Sequence, residues 1–248
     1  MTVNDIYLFL DEKFPFALAA EWDNSGLILG DKDATVKKAV VALDCTADVV
    51  ETAIKNGAEL IISHHPVIFS GLKKITADGI VHRLIENKIS VICAHTNLDF
   101  AVGGVNDCLC EALSLTDIKS VLSSEGFSFR TGKLREELSP AAFAKYVSEK
   151  LNLPVRFTMG KKNIKTVAVC GGSGGDLLYE AADIADALIT ADIKHNFFIE
   201  ADNMGFTLLD GGHFNTEDTV IEPLKKALCE KFTSIEFITN HKSVINYI

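Results

Sequence analysis

Apolar runs of five to seven residues, rich in Val, Ile and Leu, alternate with amphipathic stretches of ten or more along the whole chain. Runs that short and that uniformly apolar suit strands buried on both faces. The longer stretches between them suit crossover helices, so the pattern predicts an α/β fold built on parallel pairing. In the first half the predicted helices cover about 3–13, 47–56, 78–87 and 104–114, and the strands Leu27–Leu29, Ala39–Leu43, Leu60–Ser63 and Ser90–Ala94. In the second half the helices cover about 139–151, 176–184, 194–201 and 217–231, and the strands Thr166–Cys170, Ala187–Thr190 and Thr207–Leu209.

The two halves share a spacing. Val40 to Val167 is an offset of 127, Ile61 to Ile189 of 128, and Ile92 to Leu208 of 116. The shortfall of about a dozen residues matches the loop Pro66–Gly79, which has almost no counterpart in the second half. A duplicated α/β unit explains this economically, with one repeat over 1–125 and another over 126–248. The polar, Gly-containing segment Ser123–Leu138 reads as the connection between them.

Composition narrows the function classes. With 248 residues, 48% of them hydrophobic, the chain can bury a full core. Its 24 basic and 34 acidic residues give a net charge of −10, which repels a phosphate backbone, and no basic cluster offsets it. Nucleic acid is therefore an unlikely partner. No apolar run reaches the roughly 18–20 residues of a membrane span. The N-terminus carries Asp5, Asp11 and Glu12 where a signal peptide would be basic and then apolar, so a soluble cytoplasmic protein is expected. Cys45, Cys93, Cys108, Cys110, Cys170 and Cys229 show no CxxC spacing and read as small buried thiols.

In open parallel sheets ligands bind beyond the carboxyl ends of the strands. Those ends are polar here: Asp44–Cys45–Thr46, Ser63–His64–His65–Pro66, His95–Thr96–Asn97–Leu98–Asp99, Thr190–Ala191–Asp192 and Asp210–Gly211–Gly212–His213, with Glu217 four residues further on. Four of the seven histidines, His64, His65, His95 and His213, lie at such ends, and both His95 and His213 are followed four residues later by a carboxylate. Imidazole and carboxylate without thiolate form a ligand set for Zn²⁺, Fe²⁺ or Mn²⁺. In extended backbone His64 and His65 would point to opposite sides, so two ions taking one each are expected, with Asp99, His213 and Glu217 completing the set. Five ligands do not saturate two ions, so a bridging carboxylate and open water positions are expected. His82 and His241 read as ordinary helix and surface histidines. His195, just after Asp192, is placed near the site, either supporting the ligands from behind or facing substrate.

Two further features have both a structural and a functional reading. The Gly171–Gly175 stretch follows a strand and opens a helix, so its N–H groups could cradle a phosphate, but it lacks the Lys and Ser/Thr of a P-loop. A tight turn is the alternative. Trp22–Asp23–Asn24–Ser25–Gly26 reads as a structural turn before a strand.

The segments WDNSGLILG at 22–30, SHHPVIF at 63–69, HTNLD at 95–99, TAD and IKH within 190–195, and GGHFNTE at 211–217 resemble the type 2 homologues of GTP cyclohydrolase I, also called Nif-three-like proteins. They occur in the family's order and span nearly the whole chain. The resemblance implies duplicated α/β units with mixed, mainly parallel sheets, one dinuclear metal centre between the repeats, and a homohexameric ring with sites facing an internal cavity. It implies His64, His65, Asp99, His213 and Glu217 as metal ligands, with His95 close by. Ala191 stands where glycine is usual.

Three functions fit such a chain. The first is a metal-dependent hydrolase acting on a purine nucleotide such as GTP and opening the ring at C8, with His95 or His195 moving protons and Glu217 bridging. The others are a metal-delivery protein and an interaction scaffold.

Overall fold

The computed structural model describes residues 1–247. In chain order the elements are α1 (Val3–Lys13), β1 (Gly26–Leu29), β2 (Lys38–Ala42), α2 (Ala47–Asn56), β3 (Leu60–Ser63), α3 (Ile80–Glu86), β4 (Ser90–Cys93), α4 (Thr96–Phe100), α5 (Val105–Ala112), β5 (Thr116–Leu122) and β6 (Ser128–Leu138). They continue as α6 (Pro140–Leu151), β7 (Arg156–Phe157), β8 (Ile164–Ser173), α7 (Leu178–Ile184), β9 (Ala187–Ala191), α8 (His195–Met204), β10 (Thr207–Asp210), α9 (His213–Glu217), α10 (Ile221–Lys231) and β11 (Glu236–Asn240). Helix starts follow local chemistry. Thr2 and Asp5 form a reciprocal capping box on α1, Thr46 caps α2, and Ser139 caps α6 with Pro140 in its first turn. Helix α2 ends on Gly57 in the left-handed region.

The chain forms two compact units, Met1–Val102 with Val220–Val244, and Gly103–Thr219 with the chain from Ile245. These differ from the 1–125 and 126–248 repeats, because residues 103–125 fold with second-half elements and β11 returns to pair in parallel with β2.

The first unit holds a five-stranded sheet in the order β1-β4-β3-β2-β11. Strands β4, β3, β2 and β11 run parallel, and only β1 is antiparallel. Val40, Ile61 and Val91, one from each central strand, pack in one core with Val49, Val50 and Ala53 of α2 and Leu84 of α3. The register Ala42↔Ser63↔Cys93 then lines up three strand ends side by side.

The second unit holds a six-stranded sheet in the order β5-β6-β8-β9-β10-β7. Its centre, β8-β9-β10, is parallel and repeats the arrangement of β2-β3-β4, while β5, β6 and β7 pair antiparallel. This sheet is therefore more mixed than the pattern predicted. Phe143, Val147 and Leu151 of α6 cover one face together with Val167, Ile189 and Leu209.

The expected connection Ser123–Leu138 is mostly strand. β6 runs for 11 residues and pairs with both β5 and β8. Its polar composition concealed it, because the buried Arg130 is neutralised inside the unit by Asp107 at 2.5 Å and donates to Ser120 and Ser128. The helix expected over 217–231 starts later, at Ile221: Glu217 closes α9 and a 3-10 turn over Asp218–Val220 separates the two helices. Among the described residues no helix is long and apolar enough to cross a membrane.

Candidate metal centre

In the first unit the ends of β4, β3 and β2 present His95, His64 with His65, and Asp44. The strand-alternation expectation for His64 and His65 fails. β3 ends at Ser63, and the N–H groups of His64 and His65 both donate to the Leu43 carbonyl, so the chain has already left the extended form. The two rings lie 4.8 Å apart, and each is within 5.4 Å of the His95 ring, centre to centre. One nitrogen from each of His64, His65 and His95 falls in a group whose donor atoms all lie within 4.8 Å of one another. Geometry thus permits one ion to take both adjacent histidines. Asp99, one turn along α4 from His95, brings Oδ1 to 3.6 Å from His64 Nε2.

Hydrogen bonds orient these rings. His64 Nδ1 faces the Ala94 carbonyl at 2.9 Å, His65 Nδ1 faces Asp44 Oδ1 at 2.7 Å, and His95 Nδ1 faces Asp23 Oδ1 at 2.7 Å. A carbonyl or carboxylate can only accept, so each Nδ1 carries a proton, and the lone pair of the neutral form would sit on Nε2. This is the outer-shell arrangement that prepares imidazole for a metal.

Asp23 is the residue that sequence reasoning missed. Its side chain is fully buried. It accepts from His95 Nδ1, the Asn24 and Thr96 N–H groups, and the Ser25 and Thr96 hydroxyls. Burial pushes its carboxyl up, but these donors outweigh that and hold it well below the usual carboxylate range. The acid in WDNSG was legible as a turn former, but its partner lies 72 residues away.

In the second unit β9 and β10 end side by side, and Asp192 past one meets His213 past the other, Oδ2 to Nδ1 at 2.7 Å. The same rule therefore leaves His213 Nε2 as its donor atom. It lies 3.1 Å from Glu217 Oε2, because the four-residue spacing is one turn of α9. Gly172 makes room for this pair: its φ is +64°, and a Cβ there would come 2.1 Å from Glu217 Oε1 and 3.2 Å from His213 Nε2. The glycine stretch is no phosphate cradle. The N–H groups of Gly171, Gly172 and Gly174 donate to Asn106, Thr216 and Thr190 side chains.

His195 belongs to none of the donor groups among the described residues. It opens α8 and lines an open cavity of about 510 Å³ with Arg156, Phe157, Met159, Phe198 and Asp202. The cysteines carry no ligand role among the described residues. Burial, aided by neighbouring carboxylates, pushes the Cys45, Cys108 and Cys110 thiols up to about 12. Cys93 donates to the His64 carbonyl.

Comparison with known proteins gives one consistent result. The family described as Duf34/NIF3 (NGG1p interacting factor 3) matches residues 1–243. A Clostridium perfringens protein named GTP cyclohydrolase 1 type 2 homolog is 35% identical, covering 98% of this chain and 97% of that one. A Staphylococcus aureus hypothetical protein of known crystal structure superposes with a TM-score of 0.93 at 31% identity, over 100% of this chain and 99% of its own. Reduced HcgD from Methanocaldococcus jannaschii gives 0.83 at 28% identity, over 96% and 97%.

Proposed function

The chain belongs to the Duf34/NIF3 family, and we propose that it is a divalent-metal-dependent hydrolase acting on a purine nucleotide. The observation that carries the reading is the common orientation of four imidazoles. His64, His65, His95 and His213 each have Nδ1 against an acceptor, which leaves Nε2 to ligate or, at His95, to take a proton. In this reading His64, His65, Asp99, His213 and Glu217 would hold two ions, Zn²⁺, Fe²⁺ or Mn²⁺. Such ions supply Lewis acidity and an activated water near neutral pH. The chain's own contribution is to hold the rings rigidly and, at His95 Nε2, to accept and return a proton while Asp23 fixes the ring. His195 is assigned a more distant proton-transfer or substrate-facing role.

The substrate class comes from the relatives' name, GTP cyclohydrolase 1 type 2 homolog, and hydrolytic opening of the purine at C8 is the reaction this proposal adds. A homohexameric ring working in the cytoplasm belongs to the same proposal, and light scattering tests the assembly.

The deciding experiment measures metal content by mass spectrometry and GTP consumption by chromatography under Zn²⁺, Mn²⁺ and Fe²⁺, for the parent protein, His64→Ala and Glu217→Gln. The expected result is about two ions per chain and turnover that both substitutions abolish. Bound metal with no turnover under any of the ions overturns the hydrolase reading in favour of metal delivery. A protein partner whose binding survives loss of the metal favours a scaffold.

A further inference from the structure

Beside the first unit's histidines stand two large rings that the donor chemistry does not use. Trp22 and Phe69 are 54% and 56% exposed, and their ring centres lie 5.9 Å apart with planes inclined by 40°. Each also meets the imidazole of His95 edge to face, at 6.1 Å and 6.2 Å, both at 74°. Scattered exposed hydrophobic residues need no explanation. These two differ because they form a cluster on a fixed base: Asp23, next to Trp22, holds His95, and Asn24 Nδ2 donates to the Ile68 carbonyl at 2.6 Å, tying the Trp22 turn to the loop that carries Phe69. Two aromatic surfaces open to solvent, braced at the edge of a group of metal-ligating nitrogens, suit a flat ring that must be held while a neighbouring atom reacts.

We infer that Trp22 and Phe69 form a stacking subsite for the planar heteroaromatic ring of the ligand on which the histidine and carboxylate donors act. The inference rests on the proposed nucleotide reading for its substrate class and adds to it the residues that select for the base. Stacking on aromatic side chains tolerates many heterocycles, because every base presents a π-face. The subsite therefore distinguishes ligands with a base from ligands without one more sharply than it distinguishes one purine from another.

Trp22 is the chain's single tryptophan, so its fluorescence reports on the subsite directly. The test titrates the full-length protein, chelator-treated and Zn²⁺-loaded, with guanosine, GMP and ribose 5-phosphate. Excitation is at the red edge of tryptophan absorption, with free tryptophan as the control for filtering. Guanosine and GMP are expected to quench saturably and ribose 5-phosphate is not, and Phe69→Leu is expected to weaken the GMP response about tenfold. Equal responses to GMP and ribose 5-phosphate, or no saturable response to guanosine and GMP in folded protein, overturn the subsite. An emission maximum that shifts with protein concentration alone also overturns it, by assigning the two rings to contact between copies of the chain. Metal content and turnover are read in parallel. Base-dependent quenching without turnover upholds the subsite and defeats the hydrolase reading, whereas turnover without quenching does the reverse.

Discussion

Replacing Asp23 by Asn tests the logic of the first unit's histidine group, because the change keeps shape and removes only charge and one acceptor. Oδ1 of Asp23 receives the His95 Nδ1 proton and the Asn24 N–H, while Oδ2 receives the Ser25 hydroxyl and both the N–H and the hydroxyl of Thr96. An Asn amide must turn its NH₂ toward one of these sides. Facing Ser25 and Thr96, it leaves three donors without an acceptor. Facing His95, it loses only the bond from Asn24, provided the imidazole inverts and accepts at Nδ1. The second arrangement costs less, so Asp23→Asn is expected to move the His95 proton to Nε2 and remove the lone pair that would accept a proton during turnover. Loss of a charge-assisted bond at a fully buried carboxylate costs about 1.5–3 kcal/mol. At about 2–4 °C per kcal/mol for a chain of this size, that lowers Tm by roughly 3–12 °C. Turnover of GTP should fall about 10–100-fold, the usual effect of removing a partner that orients a working imidazole. Histidine-ring ¹⁵N spectra assign the tautomer, and calorimetry with turnover assays supplies the rest. Variant protein that keeps the proton on His95 Nδ1 with unchanged turnover refutes the reasoning. The pH dependence has a definite sign. The folded-state carboxyl of Asp23 is depressed, so its stabilisation is present above the unfolded value near pH 3.9 and is lost as pH falls below it. The Tm gap between parent and variant should therefore narrow below about pH 4.

Other perturbations probe separate parts of the molecule. Arg130→Met strands the Asp107 carboxylate and should cost about 3–5 kcal/mol by chemical denaturation, while the double change with Asp107→Leu should recover much of it. Gly172→Ala forces a left-handed alanine against Glu217 Oε1. It should cost about 1–2 kcal/mol and deplete bound metal as severely as Glu217→Ala, and full metal content by mass spectrometry would contradict this. With Cys45, Cys108 and Cys110 pushed up to about 12, a thiol reagent at pH 8 should reach the exposed Cys229 in the native protein and leave those three unmodified until denaturant releases all six.

The strands that carry the donors were legible because they are buried on both faces: Leu60–Ser63 was predicted to the residue, and β2, β4, β9 and β10 to within one at either end. The four histidines stood out because they follow strand ends within three residues, and Asp99 and Glu217 because each stands four residues past a histidine. What escaped depends on pairing across the sequence. β6 contains a buried arginine whose neutralising carboxylate lies on α5, so its polarity looked like that of a loop. β5 is an exposed, polar edge strand with no apolar run to mark it. Asp23 looked like a turn residue and Asp44 like one polar strand-end residue among several, and only the fold shows that each faces an imidazole. The divergence expected of His64 and His65 came from extending strand geometry two residues too far.

A shared device emerges from the two units. Asp44 past β2 meets His65 past β3, and Asp192 past β9 meets His213 past β10, in each case at 2.7 Å. Parallel neighbours end at the same edge of a sheet, whereas antiparallel neighbours end at opposite edges, so only the parallel core of each sheet can join a carboxylate and an imidazole this way. The alignment in turn depends on register. Ala42↔Ser63 and Thr190↔Asp210 hold because Val40, Ile61 and Val91, like Val167, Ile189 and Leu209, fill continuous cores. A slip of one residue would turn those side chains to the other face. The apolar runs that specify the fold therefore also fix which nitrogen of each anchored histidine is left to bind a metal.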